Sequence, residues 1–67
     1  MNVDILEGEW TKLKGEAKAK WGELTDDDLK TVSGDVEALI GAVQAKYGYK
    51  RADAKAEVDD WLAKVRG

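Results

Sequence analysis

Val3, Leu6, Trp10, Leu13, Ala17 and Trp21 recur at intervals of three, four, three, four and four residues. At 100° per residue they fall in one narrow stripe, the mark of an amphipathic helix. A half-buried strand would instead alternate apolar and polar residues. The chain has no proline, and its Val, Ile and Thr residues are scattered rather than clustered, which also favours helices. Glu7 and Glu9 lie early in this segment, and Lys12, Lys14, Lys18 and Lys20 lie late, as a helix dipole prefers. Glu16 and Lys20 stand four apart in the favourable orientation. Gly22 occupies the position where a left-handed residue would end the helix.

Three further helices follow from the same reasoning. In "LTDDDLKTVSG", Thr25 is a good N-cap, Asp28 completes a capping box, and Leu24 can staple onto Leu29. A short helix over about 26–32 results, presenting Leu29 and Val32, and Ser33-Gly34 breaks it. A third, over about 35–47, starts at Asp35 and carries Val36, Leu39, Ile40, Val43 and Tyr47 on its main stripe. Ala38, Gly41, Ala42 and Ala45 make its reverse side small and apolar, so it is expected to be central. Gly48 ends it. The fourth spans about 51–65, with Ala54, Val58, Trp61, Leu62 and Val65 on one face and an Asp60–Lys64 pair beside it. The short join "YK" leaves room only for a tight reversal, so helices three and four are expected to form a hairpin.

The glycines repeat. Gly34, Gly41 and Gly48 keep the seven-residue spacing of Gly8, Gly15 and Gly22, shifted by 26 residues. Laying 8–22 on 34–48 matches Leu13 with Leu39, Trp10 with Val36, Ala17 with Val43, and Trp21 with Tyr47. The pattern is that of an internal duplication. Gly22 and Gly48 then serve as terminators. Gly41, among alanines, suits a close helix crossing, whereas Gly15, between Lys14 and Glu16, suits an exposed position.

Composition narrows function by exclusion. A chain of 67 residues is one domain, 1–67, and buries only about 60 % of its unfolded surface. Without cysteine or histidine it can form no disulfide, no thiolate or imidazole metal site, and no nucleophile–His arrangement. The net charge of −3 arises from 11 basic and 14 acidic residues of mixed order, which gives no strong field and disfavours non-specific nucleic-acid binding. No apolar run approaches the ~20 residues of a membrane span, and "MNVDILEGEW" lacks the basic and apolar regions of a secretory signal. The cytoplasm is the expected location and a monomer the expected state, with no cofactor and no metal.

Few residues invite a chemical role. Asp26-Asp27-Asp28 is the densest carboxylate cluster, but first-turn acids favour a helix N-terminus, and the alternating ligands of a calcium loop are missing. Asp59 and Asp60 are consecutive helix residues pointing about 100° apart, which suits a solvated face. Catalysis would need Lys, Tyr, Ser or carboxylate groups with shifted pKa values in a cleft, for which so short a chain leaves little room. The turn before the fourth helix is the candidate contact site. Tyr49 stands in the join, either to anchor a partner or to staple the hairpin; Lys50 and Arg51 oppose the dipole of the helix they introduce, which a bound anion would relieve, or else lay their long stems over Tyr47 or Tyr49 with their charges in water. "YGYKRADAKAEV" loosely resembles a helix–hairpin–helix nucleic-acid motif, although its second glycine is missing. Trp10, Trp21 and Trp61 lie on core stripes. Ile5 faces away from its stripe as a weaker exposed apolar candidate.

Three segments carry a family resemblance: "WTKLKGEAKAKWGELTDDDL" (10–29), "GDVEALIGAVQAKYGY" (34–49) and "AKAEVDDW" (54–61). Together they resemble the CsbD-like family of small bacterial general stress proteins, in its longer, Trp-containing form. The resemblance implies an all-α domain of two helical hairpins packed across each other, SAM-like, and accumulation under osmotic or stationary-phase stress. It implies no active site. The expected function is that of a non-enzymatic stress-response protein acting by binding or protection, with a protein partner of unstated identity. The alternative is a small anion- or nucleic-acid-binding module using Tyr49, Lys50 and Arg51.

Overall fold

A computed structural model describes residues 9–66 of the chain; Val3, Ile5, Leu6 and Gly8 lie outside the described residues. Four helices follow one another: α1 Trp10–Lys20, α2 Asp26–Val32, α3 Val36–Tyr47 and α4 Arg51–Arg66. Among the described residues there is no strand, and their architecture is all-α.

Local chemistry sets most of the boundaries. The Thr25 hydroxyl accepts the Asp28 N–H at 3.1 Å, and the Asp28 carboxylate accepts the Thr25 N–H at 2.9 Å. This reciprocal capping box satisfies two donors that the helix start would otherwise leave open. Asp35 caps α3 by accepting the Glu37 N–H at 3.0 Å and the Ala38 N–H at 3.5 Å. At its other end Gly48 turns left-handed, with φ 69°, and its N–H donates to the Gln44 carbonyl. The α2 stop is more unusual: Ser33 itself is left-handed (φ 49°) ahead of Gly34 (φ 86°). Serine tolerates that region less readily than glycine, so two consecutive left-handed residues make this a fixed, sharp break.

The core is apolar throughout. Trp10, Leu13 and Ala17 of α1 meet Leu29 and Val32 of α2, Val36, Leu39, Ile40 and Val43 of α3, and Ala54, Val58 and Trp61 of α4. Leu24, between α1 and α2, is buried as a staple requires. Helix α3 packs on both α2 and α4 and is central as expected. Trp21 and Trp61 meet edge to face with centroids 5.3 Å apart, a geometry worth about 0.5–1.5 kcal/mol beyond area burial. The Trp21 indole N–H donates to Glu57 Oε1 at 3.1 Å, and that of Trp10 to the buried Leu29 carbonyl at 2.9 Å. Both tryptophans therefore bury their rings without stranding a donor.

Four expectations need correction. Gly22 is not a left-handed terminator: α1 ends at Lys20, and Trp21 leaves the helix with φ −119° and ψ 81° while its N–H still reaches the Ala17 carbonyl. Burial of Trp21 and of Leu24 drives that exit, so the stop is made by tertiary anchoring rather than by glycine. Gly41 is exposed, and a Cβ there would meet nothing within 4 Å among the described residues, so no close helix crossing depends on it. Ala45 beside it is exposed too, and Ala38 and Ala42 are half-buried; the reverse side of α3 is thus only partly covered. Finally, the Asp60–Lys64 pair forms at 3.5 Å, but among the described residues no ion pair joins Glu16 to Lys20.

Candidate functional site

The join between α3 and α4 gathers the candidate residues Tyr49, Lys50 and Arg51 into one short exposed stretch. Tyr47, the last residue of α3, is half-buried, and its hydroxyl oxygen accepts the Glu23 N–H at 3.2 Å, which ties this end of α3 to the α1–α2 connection. Left-handed Gly48 then turns the chain so that the Tyr49 ring stacks on that of Tyr47, with centroids 5.4 Å apart and planes 19° from parallel. Tyr49 keeps 37 % of its surface exposed and is the one large exposed apolar side chain among the described residues. Lys50 is exposed next to it.

Arg51 is held differently. Its guanidinium pairs with the Glu37 carboxylate at the start of α3. Glu37 thereby supplies, from within the chain, the anion that a cation at the α4 N-terminus was expected to require. Periodicity along a single helix gives no sign of that pairing, since the partners are 14 residues apart.

The acidic cluster is divided among structural tasks. Asp26 reaches Lys18 of α1 at 2.9 Å, and that hydrogen bond, with the lysine's charge, lowers its pKa below the usual carboxylate value. The Asp28 carboxyl is lowered as well, first by the Thr25 N–H and then by Lys46 of α3, 3.1 Å away. One carboxylate thus caps α2 and bridges it to α3. On α4, Lys55 is raised by its hydrogen bond to Asp59 at 2.7 Å. Among the described residues no group of three or more carboxylates converges closely enough to hold a metal ion.

A concave surface lies away from this join. An open groove of about 630 Å³ runs between α1 and α2, lined by Trp10, Gly15, Leu29 and charged side chains of both signs. Its one sequence signal is Gly15, a mid-helix glycine without an intrahelical purpose.

The sequence pattern of the CsbD-like family matches residues 4–56. The chain belongs to the CsbD-like family. It is 55 % identical over 58 residues to the UPF0337 protein XAC4007 of Xanthomonas axonopodis pathovar citri, covering 87 % of this chain and 84 % of that protein. It is 46 % identical over 66 residues to the UPF0337 protein pc0632 of Protochlamydia amoebophila, covering 98 % of this chain and all of that one. With the UPF0337 protein YjbJ of Escherichia coli K12 it shares 44 % identity over 61 residues, 91 % of this chain and 88 % of its relative. None of these names states a reaction, a ligand or a partner. For this CsbD-like chain, no described helix is long and apolar enough to cross a membrane.

Proposed function

We propose that the chain is a non-enzymatic, cytoplasmic stress-response protein that acts by binding or protecting other molecules, as a single domain over 1–67. Membership of the CsbD-like family carries this reading. It is supported by the way the carboxylates are used: exposed Asp26, Glu37, Asp59 and Asp60 and half-buried Asp28 are all engaged in caps or ion pairs. The experiment is to measure abundance of the native protein across osmotic and stationary-phase stress. A rise is expected, and constant abundance would remove the main support.

A second reading, an anion- or nucleic-acid-binding module at 48–51, is favoured by the exposed Tyr49 ring on its Tyr47 base beside Lys50. Glu37 competes for Arg51 and weakens it. A mobility-shift titration at low and high salt separates the two, since an electrostatic complex forms at low salt and dissociates as salt rises.

The finer architecture belongs with this proposal. Two helical hairpins packed across each other, SAM-like, are supported by the Trp10–Leu29 and Lys18–Asp26 bonds between α1 and α2 and by the Glu37–Arg51 pair between α3 and α4. Internal duplication is supported by matched burial of Trp10 with Val36, Leu13 with Leu39 and Ala17 with Val43. The different exits at Trp21 and at Gly48 are where the two halves diverge.

A further inference from the structure

We propose that Tyr47 and Tyr49 form an oxidative modification site, at which one-electron oxidation by peroxide and a haem peroxidase joins the two rings through a carbon–carbon bond. The inference goes beyond the stress-response reading and does not depend on it. These are the only two tyrosines of the chain, and cysteine, the usual target of oxidants, is absent. The three tryptophans are buried, whereas Tyr49 stands exposed at the turn. Among the described residues, Tyr49 is therefore the aromatic ring that an oxidant in solvent meets first.

The turn supplies the partner ring. Left-handed Gly48, with φ 69°, folds the Tyr49 ring back onto Tyr47, centroids 5.4 Å apart and planes 19° from parallel. Nearly parallel rings at that separation are offset, so the edge of one lies over the edge of the other. Tyr47 is held in place, since its hydroxyl oxygen accepts the Glu23 N–H at 3.2 Å and its ring is half-buried. Oxidation of Tyr49 removes one electron, and the phenolic proton passes to water. The stacked Tyr47 returns an electron, and a proton by way of water, so the radical rests on Tyr47 while exposed Tyr49 is oxidised a second time. In each phenoxyl the unpaired electron resides on oxygen and on the ring carbons ortho and para to it. The para carbon carries the backbone, which leaves the ortho carbons to couple. After they bond, each loses its hydrogen as a proton while the neighbouring oxygen regains one from water, which restores both phenols. Overall the pair loses two hydrogen atoms, and one hydrogen peroxide is reduced to two waters. Fixed proximity favours this coupling over the meeting of radicals on separate molecules.

The test treats the dilute full chain with hydrogen peroxide and a haem peroxidase, then digests the monomer with trypsin. Cleavage after Lys46 and Lys50 releases residues 47–50, which carry both tyrosines. That peptide is expected to be lighter by two hydrogen atoms and to show the blue fluorescence of a biphenol. Tyr49→Phe, checked for folding by circular dichroism, is expected to abolish both signals. The free peptide acetyl-Lys-Tyr-Gly-Tyr-Lys-amide has the same local sequence without the helices, and its internal coupling is expected to be about tenfold slower. The proposal is overturned if the oxidised chain is cross-linked only between molecules, or if oxidation falls on the tryptophans instead. It is also overturned if the free peptide couples as fast as the folded chain, because the stacked geometry would then contribute nothing.

Discussion

Replacing Gly15 and Gly48 by alanine, one at a time, should change stability in opposite directions. Gly15 has ordinary helical backbone and open space around its would-be Cβ, so Gly15→Ala gains the full helix-propensity difference of about 1 kcal/mol. Gly48 also has open space, but its φ of 69° places it in the left-handed region. An L-residue there costs about 1–2 kcal/mol, and the reduced entropy of the unfolded chain returns about 0.4–1 kcal/mol. A net loss of up to about 1.6 kcal/mol, centred near about 0.8 kcal/mol, follows for Gly48→Ala. In a domain this small each kcal/mol moves Tm by about 4–8 °C. Thermal and urea unfolding followed by far-UV circular dichroism should therefore show Gly15→Ala about 4–8 °C above wild type and Gly48→Ala about 3–6 °C below it. Equal signs would refute the assignment of the two backbone conformations. A destabilised Gly15→Ala would place a neighbour against α1 at that position.

Three other changes follow from the cap, core and ion-pair geometry. Thr25→Ala removes one arm of the capping box and should cost about 1 kcal/mol, read from urea midpoints at unchanged slope. Trp10→Phe deletes the indole bond to the Leu29 carbonyl; because that carbonyl also accepts the Ser33 N–H, the loss should stay near 1–2 kcal/mol. The folded-state pKa of Asp28 is lowered, so its stabilising contribution is fully present above the unfolded value near 4 and is lost as pH falls through the lower folded value. Thermal melts of wild type and Asp28→Asn should accordingly differ at neutral pH and converge under strong acid, and a constant difference across that window would contradict the cap-and-bridge role.

What the sequence disclosed was local. Thr25 with Asp28, Asp35, and Gly48 all act on backbone groups within four residues, and their chemistry is written in adjacent letters. The helical stripes likewise found Trp10, Leu39, Val43, Val58 and Trp61, because periodicity reports a face without needing its partner. Gly22 misled for the complementary reason. A glycine after a helix usually turns left-handed, but here Trp21 has already left the helix to pack on Trp61 and bond Glu57, 36 residues away. Arg51 is a similar case, since its apparent conflict with the helix dipole is resolved by Glu37 on another helix. The groove exists only once α1 and α2 are brought together, so periodicity along either helix does not show it. Gly15 was its single trace, visible as an unexplained glycine.

The proposed role of this CsbD-like fold is protection of the stressed cell. Osmotic-stress survival of a strain lacking the gene, with and without the wild-type chain restored, tests that role. Survival should fall in the deletion strain and return when the wild-type chain is supplied. Equal survival of the deletion strain and its parent would contradict the proposal.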